Sequence, residues 1–587
     1  MQNINSNFWN ENGRTLCKPD LRCLRQDHEI YKTLLMQLVG KIEYNSNGIQ
    51  LADKDLATAK FSQFIEKAIS ENVDLAITPE YSCPWTSIED FISNNKLPNE
   101  EKIWILGCQS IKPNELTLLV GRHQDIVWIY DKQLVQQNIN ENKFFDPVCI
   151  FFKTKNRNDE VKNVIVVQFK TYGFGGNDFE WERDNSIAGK TFYVVENQRP
   201  STRLVTMICS DSLQNGLDFN TIENEYFKNA PLLLVHIQLN QKPFQSNYKT
   251  YRTLLFSKGS EDLNKEIICL NWARNVTYDD EHGQSNVFNS YGGSALYSKT
   301  NQIVITDERI NHNHKKGLYY TSWNDKRSHI YFLNYEELVF LVESTKPSQI
   351  DSDPTQMVRT GPKMLKTYSW NTDWTEIQIT GDGFLQVCSE IEEVNGDLSC
   401  LTGNSNYTEV ERIIQLSVGE INTSKKDKWS DILNILSFQI SETEINNRNT
   451  FTHDPDATAK ANRKSKISRY HSLKNKILTD PQQVPETFSN AFLKFDTGIN
   501  SKNIYLLNLH SQDNTRKGTA IYLGNKTPAE AKAFKIKIES LFSEDQQGKQ
   551  VMVWYNNPHL ERIFDENNKP KINENVTKPN SSIKKTK

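Results

Sequence analysis

The sequence predicts an α/β fold built from layers of strands and helices. Short apolar runs of strand length recur along the N-terminal half, and segments with helical spacing or long polar loops separate them. This alternation is typical of layered α/β domains. With 37% hydrophobic and 24% charged residues, the 587-residue chain has the composition of a globular protein that buries a substantial core.

The predicted elements of the N-terminal half follow one another in order. A strand is predicted over 33–39, and Leu56, Phe64 and Ile65 then recur at the spacing of an amphipathic helix between 53 and 70. Further short apolar runs are predicted as strands at 74–80, 103–108, 125–130, 163–169, 204–209, 232–237, 267–271 and 294–297. Together they indicate one large α/β domain.

Changes in composition indicate where domains begin and end. Residues 1–30 are polar and rich in Asn, which indicates an N-terminal extension, and the α/β domain is predicted over 31–344. A turn-rich junction follows it. The rest of the chain, which carries no motif of a known family, is divided into an α+β region at 345–445, a basic polar linker at 446–485, a small α/β region at 486–565 and a disordered tail at 566–587.

Two features stand out in this C-terminal half. Thr527, Pro528 and Glu530 have the pattern of a helix start, with Thr as N-cap, Pro in the first turn and Glu closing a capping box. Between Lys460 and Lys476 lie seven Lys and Arg residues. This basic cluster could contact nucleic acid or an acidic protein partner. The alternative is a solvated linker or helix face.

Charge and cysteine content exclude several classes of protein. A net charge of −4 produces no global attraction to nucleic acid or membranes. The nine cysteines include no Cys-x-x-Cys pair, which indicates free thiols in a reducing compartment. No signal peptide is visible, and no apolar run reaches the ~18 residues that a membrane helix needs. We therefore expect a cytoplasmic protein that does not enter a membrane.

Three chemically distinctive residues each follow a predicted strand: Glu80, Lys170 and Cys209. Strand ends in a layered α/β domain share one rim, so these side chains can converge although they are far apart in sequence. A thiol needs a base or a nearby positive charge to become a useful nucleophile. Glu80 could take its proton, and Lys170 could lower its pKa and stabilise an oxyanion. This combination indicates acyl transfer through a thioester.

The motifs around these residues resemble those of the nitrilase-type carbon–nitrogen hydrolases. That family has a Glu in a strand that ends Pro-Glu, here Ile-Thr-Pro-Glu-Tyr at 77–81. Its Lys follows a strand, here Val-Val-Gln-Phe-Lys at 166–170, and its Cys lies in a motif similar to Met-Ile-Cys-Ser-Asp at 207–211. Segments at 230–235, 268–273 and 292–297 resemble later strands of the family. The resemblance covers roughly residues 31–335.

The resemblance implies a fold and an activity. The fold is an αββα sandwich that often pairs into dimers. The activity is hydrolysis of an amide, nitrile or carbamoyl group without metal or organic cofactor, with Glu80 as general base, Cys209 as nucleophile and Lys170 as oxyanion stabiliser. A second family Glu lies seven residues before a Gly, and Glu182 takes that place before Gly189. Glu180 is the less favoured candidate for the same role.

The segment departs from the family pattern at three places. The residue after the nucleophile is Ser210, where the family usually has an aromatic side chain, and residues 212–216 lack the Arg and the acidic residue often seen there. In addition, a Gly-rich segment at 173–176 follows Lys170. The Gly-rich segment lacks the spacing of a phosphate-binding loop. We expect it instead to form a mobile lid over the site. These departures affect the substrate class more than the mechanism.

Two further interpretations remain. A long C-terminal half indicates, as an alternative to an enzyme, a nitrilase-like binding or sensing module within a larger bacterial assembly, for example one concerned with phage defence. His312 and His314 could suggest a metal site, but no third ligand stands near them, so an ordinary polar loop is favoured.

Overall fold

A computed structural model describes residues 3–5, 8–9, 16–25, 30–46, 48–173, 180–199, 202–213, 231–243, 246–257, 265–279, 284–288, 293–299, 303–304, 307–322, 328–345, 359–379, 384–390, 401, 406–420, 449–450, 457–489, 491–494, 507–540 and 550–564. The chain divides into two compact units. The first unit consists of 1–382 with the short segments 439–445 and 453–455, and the second consists of 383–438, 446–452 and 456–587.

A nine-stranded mixed sheet forms one half of the first unit. Its strands are, in spatial order, β23 (Trp374–Ile377), β22 (Lys363–Trp370), β20 (Leu338–Thr345), β2 (Ile30–Met36), β5 (Leu75–Ile77), β6 (Ile103–Gly107), β8 (Pro147–Lys155), β9 (Val161–Phe169) and β7 (Val127–Ile129). The strands β2, β5 and β6 are parallel, whereas β8 runs antiparallel to both β6 and β9. Nearly every residue of the central strands is buried.

An eight-stranded mixed sheet forms the other half. Its strands are, in spatial order, β1 (Asn3–Asn5), β10 (Thr191–Val195), β11 (Arg203–Ile208), β12 (Leu232–Ile237), β13 (Lys265–Leu270), β16 (Ala295–Lys299), β19 (Ser328–Leu333) and β18 (Leu318–Ser322). The central strands β11, β12 and β13 are parallel. Two smaller sheets complete the unit: β15 (Ser285–Phe288), β14 (Val276–Asp279), β3 (Lys41–Asn45) and β4 (Gly48–Leu51) form one, and β17 (Ile303–Val304) and β21 (Arg359–Thr360) form the other.

Direct hydrogen bonds join the two large sheets. The amide of Gln168 on β9 donates to the carbonyl of Thr206 on β11 (2.8 Å), and its oxygen accepts from the backbone of Tyr193 on β10 (3.1 Å). The hydroxyl of Tyr31 on β2 donates to Glu266 on β13 (2.9 Å). Buried polar side chains that find partners across the gap fix the register of one sheet against the other.

Helices cover the nine-stranded sheet on one face. The first unit contains, among the described residues, α1 (Lys54–Ser70), α2 (Trp85–Ser93), α3 (Pro113–Arg122), α4 (Lys132–Gln137), α5 (Glu180–Asn185), α6 (Ser246–Ser257) and α7 (Asp307–His314). Phe61, Phe64 and Ile65 on α1 share one apolar cluster with alternate residues of the sheet such as Leu34 and Trp104. The helical spacing of α1 therefore serves to bury one side of that helix.

The first unit extends beyond the predicted 31–344 domain at both ends. Residues 3–5 add a parallel strand to the eight-stranded sheet, and the nearby Phe8 and Trp9 are both buried. At the other end, β22 and β23 continue the nine-stranded sheet beyond β20 by antiparallel pairing. Residues 3–5 of the predicted N-terminal extension therefore belong to a sheet of the first unit. The strands β22 and β23, which fall within the predicted α+β region at 345–445, do so as well.

The second unit is also mixed α/β. Its five-stranded sheet contains β24 (Phe492–Leu493), β25 (Leu509–His510), β26 (Lys517–Asn525), β27 (Gln550–Asn556) and β28 (Leu560–Ile563), and its described helices are α8 (Phe384–Ser389), α9 (Tyr407–Ser417), α10 (Ala457–Ser472) and α11 (Pro528–Glu539). The helix α11 connects the parallel pair β26 and β27, and Thr527 and Glu530 form the predicted capping box. The predicted α/β class is therefore confirmed for both units, because each contains mixed sheets and helices.

The stretch 446–485 differs from the polar linker that composition predicts. It contains the helix α10, on which Ile467 and Tyr470 are fully buried, and Leu473 directly after it is buried as well. A few well-spaced apolar residues are therefore enough to dock a helix whose other positions are mostly polar or charged. The predicted tail at 566–587 lies outside the described residues. None of the described helices is long and apolar enough to cross a membrane.

Candidate active site

Strand pairing places three charged side chains at one end of the nine-stranded sheet. Glu80 follows β5 by three residues, and Lys170 directly follows β9. Asp146 directly precedes β8, and because β8 and β9 are antiparallel, the start of one strand lies beside the end of the other. The backbone amide of Lys170 accordingly donates to the carbonyl of Asp146 (2.8 Å).

Two glycines allow the backbone to pass closely at this end of the sheet. A Cβ atom on Gly107, the last residue of β6, would lie 2.1 Å from the carbonyl oxygen of Pro79. A Cβ atom on Gly189 would lie 2.4 Å from the carbonyl oxygen of Phe169. The segments that carry Glu80 and Lys170 can thus occupy their places only beside residues without a side chain.

The ammonium group of Lys170 lies among three carboxyl groups. Its Nζ is 2.6 Å from Glu80 Oε1, 2.5 Å from Glu182 Oε1 and 3.4 Å from Asp146 Oδ2. All four side chains are buried. The structure therefore brings together three of the residues that the sequence nominates, Glu80, Lys170 and Glu182, and adds Asp146, which sequence reasoning missed.

Glu182, and not Glu180, is the acidic residue of α5 that reaches the cluster. Glu182 is buried and accepts a further hydrogen bond from the hydroxyl of Tyr81 (3.2 Å). The side chain of Glu180 is 59% exposed and lies 3.9 Å from Arg183 on the same helix. The two residues, two positions apart in one helix, point in different directions.

Burial and charge together determine the protonation of this cluster. Burial by itself would lower the pKa of Lys170, but the carboxylates of Glu182, Glu80 and Asp146 outweigh it and raise that pKa well above its ordinary value. Burial, reinforced by the charge of Glu80, raises the pKa of Asp146 well above its ordinary value. Burial also raises the pKa of Glu182. One ammonium faces three buried carboxyl groups, and this imbalance favours the protonated form of Asp146.

The same three carboxyl groups lie close enough to hold a metal ion. One oxygen from each of Glu80, Asp146 and Glu182 lies within 4.8 Å of the others, and this is the one such group in the parts of the chain that the structure describes. The Nζ of Lys170 lies among these oxygens and acts as their cation. His312 and His314, the other metal-site candidate, lie in the last turn of helix α7 and not in the polar loop that the sequence favours. The Nε2 of His312 forms a hydrogen bond with the carbonyl of Met364 (2.9 Å).

Cys209 lies at the end of β11, where the strand turns into a 3₁₀-helix over Cys209–Leu213. Its φ of 41° is in the left-handed region, which non-glycine residues rarely adopt. The thiol is 3.7 Å from the hydroxyl of Tyr248 on α6 and 4.0 Å from the carbonyl oxygen of Leu239. The amide of Leu239 donates to Glu80 Oε2 (2.6 Å), so the thiol and this carboxylate lie beside the same residue.

The thiol is neutral in the resting protein. Burial and the charge of Glu80 raise the pKa of Cys209 well above its ordinary value, and the opposing effect of Lys170 does not offset them. Lys170 lowers the pKa of the thiol as expected, but burial and the charge of Glu80 outweigh its effect. A thiol of this kind acts as a nucleophile only after a base has removed its proton.

Asp211 connects the Lys170 segment to the Cys209 segment. Its Oδ1 accepts hydrogen bonds from the backbone amide and the hydroxyl of Thr171, both at 2.8 Å. Its Oδ2 accepts from the amide of Ile208 (3.0 Å). Burial raises the pKa of this carboxyl to about 6 although four donors favour its charged form. The Asp211 side chain therefore holds the segment after β9 against the end of β11.

A second contact fixes Glu80 from the eight-stranded sheet. The indole of Trp272, two residues beyond β13, donates to the carbonyl oxygen of Glu80 (2.7 Å). Both sheets therefore contribute to the position of this residue. Most of the predicted lid at 173–176 lies outside the described residues.

In the second unit, carboxylates engage much of the basic cluster between Lys460 and Lys476. Lys460 and Lys464 lie 3.0 Å and 2.7 Å from Glu390. Lys466 lies 2.6 Å from Glu420, which also pairs with Arg469. These ion pairs reduce the charge that α10 presents to a nucleic acid or an acidic protein.

A scan of protein-family models gives no match for this chain, and a search of curated proteins gives none either.

Proposed function

We propose that the first unit is a nitrilase-type carbon–nitrogen hydrolase. The observation that carries the proposal is the buried ammonium of Lys170, bonded to both Glu80 (2.6 Å) and Glu182 (2.5 Å), beside a buried cysteine on a strained turn. A buried lysine held in this way provides a fixed positive charge. A buried thiol with a raised pKa and an adjacent carboxylate provides a nucleophile and its base.

The reaction proceeds through a thioester in four balanced steps. Glu80 takes the proton from the thiol of Cys209 while the sulfur attacks the carbonyl carbon of an amide, and Lys170 stabilises the resulting oxyanion. Glu80 then gives that proton to the leaving amine or ammonia as the C–N bond breaks. Water next attacks the thioester and transfers a proton to Glu80. Collapse of the second oxyanion releases the carboxylic acid, and Glu80 returns its proton to the sulfur.

Glu182 and Asp146 act through Lys170. Glu182 holds the ammonium by a second ion pair, and the hydroxyl of Tyr81 in turn donates to Glu182. Protonated Asp146 adds a polar wall without adding a third negative charge. Because the ammonium cannot rotate away, its positive charge remains where the oxyanion forms, which lowers the cost of reorganisation during the reaction.

The fold proposed with this function is the αββα sandwich. The hydrogen bonds between Gln168 and Thr206 and between Tyr31 and Glu266 are those expected between two sheets that pack face to face. The helices α1, α2 and α3 cover one outer face. The helix α6 lies against the eight-stranded sheet, where the hydroxyl of Tyr251 meets His236 on β12 (2.7 Å).

The proposed substrate is a small non-peptide amide or nitrile. The chemistry needs no metal and no organic cofactor, since all four steps use side chains of this chain and water. We propose further that the protein acts in the cytoplasm as a homo-oligomer. Cys17, Cys83, Cys108, Cys149 and Cys209 form no disulfide, which fits a reducing compartment.

Replacement of the nucleophile tests the proposal. Purified wild type, Cys209→Ala and Cys209→Ser are incubated with a panel of small amides and nitriles, and released ammonia is measured. Turnover by the wild type and none by either variant supports the hydrolase. As a control, Cys17→Ser changes a half-buried thiol that lies 3.8 Å from the carbonyl oxygen of Asn156, and it should keep turnover. Unchanged turnover by Cys209→Ala would sink the proposal.

A binding or sensing module remains the second candidate. The neutral, buried thiol and the separate second unit with its own sheet are the observations that favour it. Such a module would bind small molecules at the site without breaking a bond in them or releasing a product. Stoichiometric binding to both wild type and Cys209→Ala, with no ammonia from either, would favour it over the enzyme.

A further inference from the structure

The carbonyl oxygen of Cys209 accepts two hydrogen bonds from side chains. One comes from the imidazole Nε2 of His236 on β12 (2.9 Å), and the other comes from the hydroxyl of Ser212 within the 3₁₀-helix (3.1 Å). His236 is fully buried between Val235 and Ile237 in a strand that runs parallel to β11. The proposed mechanism does not use this histidine.

The hydrogen bonds determine which nitrogen of His236 carries the proton. A carbonyl oxygen can only accept, so Nε2 must donate to Cys209. The other ring nitrogen, Nδ1, lies 2.7 Å from the hydroxyl of Tyr251 and 3.0 Å from the amide nitrogen of Gln238. An amide nitrogen can only donate, so Nδ1 is the acceptor, and the ring is the neutral Nε2–H tautomer.

Burial favours the neutral ring. It lowers the pKa of His236 to about 3, and the positive charges of Arg252 and Lys170 act in the same direction. The tautomer is thus constant across the physiological range. Tyr251 lies on α6, the helix that also brings the hydroxyl of Tyr248 to the thiol. The helix α6 consequently contacts the cysteine twice, directly at sulfur and through His236 at the backbone.

We propose that His236 is a positioning residue for the nucleophile, which holds the backbone of Cys209 in the conformation that aims its thiol at the substrate and at Glu80. This inference rests on the proposed hydrolase function. A non-glycine residue at φ 41° is strained, and such a conformation persists only where the surroundings hold it. The hydrogen bonds from His236 and Ser212 to the Cys209 carbonyl oxygen stabilise this conformation. Without the His236 donor, the turn relaxes and the sulfur moves away from its base.

Two matched substitutions test this role. In His236→Gln the side-chain nitrogen can take the place of Nε2, so the bond to the Cys209 carbonyl is kept. In His236→Asn the shorter side chain reaches only the position of Nδ1, so that bond is lost. Both variants leave a neutral amide in the same buried place, which makes each the control for the other.

The first readout is the rate at which iodoacetamide alkylates Cys209, measured peptide by peptide by mass spectrometry from pH 6 to pH 9. We expect His236→Gln to react within about twofold of wild type and His236→Asn to react about tenfold more slowly, because Glu80 is no longer aligned with the thiol. Ser212→Ala, a small change that removes the second donor, should slow the reaction in the same direction and keeps the test decisive if His236→Asn does not fold.

The second readout is turnover of an amide found for the wild type. Loss of positioning should lower kcat in His236→Asn with KM unchanged, and His236→Gln should restore kcat. A wild-type alkylation rate in both His236→Asn and Ser212→Ala overturns the inference. So does equal impairment of the Gln and Asn variants, since that result indicates a merely structural histidine. Because alkylation needs no substrate, these outcomes remain separate from a failure of the hydrolase proposal, which shows as turnover that survives in Cys209→Ala.

Discussion

Glu80 and Cys209 both contact the backbone of Leu239, Glu80 at its amide and Cys209 at its carbonyl oxygen. The amide of Leu239 donates to Glu80 Oε2 (2.6 Å), and its carbonyl oxygen accepts from the thiol of Cys209 (4.0 Å). The base and the nucleophile of the proposed reaction therefore share a support on the segment that follows β12. This relationship joins the two large sheets at the candidate site and determines what each substitution should do.

Replacement of the base should remove activity but not the fold. In Glu80→Gln the amide oxygen can still accept a hydrogen bond, but the side chain can no longer take the thiol proton. We expect kcat to fall about 10²- to 10⁴-fold, the usual contribution of a general base. Circular dichroism before the amidase assay checks the fold. Retention of more than about a tenth of wild-type kcat would contradict the role of Glu80.

The two acidic residues of α5 form a matched pair. Glu182→Gln removes a carboxylate bonded to Lys170, and we expect a loss of about 10²-fold in kcat. Glu180→Gln changes an exposed side chain that lies outside the cluster, so its kcat should equal that of wild type. Steady-state kinetics on both variants decides the assignment. Equal effects, or a larger effect at Glu180, would show that the wrong glutamate has been assigned.

Asp146 should tolerate an amide, in contrast to Glu80 and Glu182. Burial and the charge of Glu80 raise its pKa well above the ordinary value, which favours the neutral carboxyl that Asn resembles in charge and shape. We expect Asp146→Asn to keep kcat within about threefold of wild type. Asp146→Ala leaves a cavity beside Lys170 and should be much slower. A collapse of kcat in the Asn variant would show that Asp146 acts as a carboxylate.

Glu266 should make the protein less stable as the pH rises. Burial raises its pKa from 4.5 to about 8. Between these values the unfolded chain has lost the proton and the folded chain still holds it, so the free energy of unfolding falls from about pH 4.5 to about pH 8 and is constant above.

Glu266→Gln removes this dependence and leaves the contact with Tyr31 in place. We expect a melting temperature close to that of wild type at pH 5 and clearly higher at pH 8, with a gain on the order of a few kcal/mol. Differential scanning at the two pH values measures it. The carboxyl of Asp211 also has a raised pKa, but it is present in both proteins and its effect cancels in the comparison. An equal difference at both pH values would contradict the prediction.

Two glycine substitutions should have opposite effects on stability. Gly107→Ala places a methyl group 2.1 Å from the carbonyl oxygen of Pro79, so we expect a loss of about 1–3 kcal/mol and a displaced Glu80. Gly121→Ala, in the helix α3, meets nothing within 4 Å and should gain about 0.5–1 kcal/mol. Thermal melts of the two variants measure the difference. A stable, fully active Gly107→Ala would show that the close approach is not required.

The sequence predicts the central strands and the residues at their ends because both are local signals. Apolar runs indicate β5, β9 and β11, and Glu80, Lys170 and Cys209 lie just after these strands. Glu182 is nominated only by the family resemblance, from its place seven residues before Gly189. Asp146 and Tyr248 carry no such signal. Asp146 precedes its strand and reaches Lys170 only through the antiparallel pairing of β8 with β9, and Tyr248 lies within a helix.

The sequence also does not predict properties that depend on how deeply a side chain is buried. The neighbours of the Cys209 thiol are chemically those expected, yet the direction of its pKa depends on how completely the site excludes water. Likewise, the composition of 446–485 predicts a linker, whereas Ile467 and Tyr470 are buried once partners from elsewhere in the second unit are present. The sequence shows which side chains a segment contains, but tertiary contacts decide which of those side chains are buried.

The central claim is a covalent acyl group on Cys209, and mass spectrometry tests it most directly. The wild type and Cys209→Ala are incubated with a small-molecule cell extract, quenched in acid and analysed intact and as peptides. We predict a mass increase on the wild type alone, located on the peptide with Cys209 and removed by hydroxylamine as a thioester is. Turnover of an amide with no adduct on Cys209, or an adduct that persists in Cys209→Ala, would contradict the account.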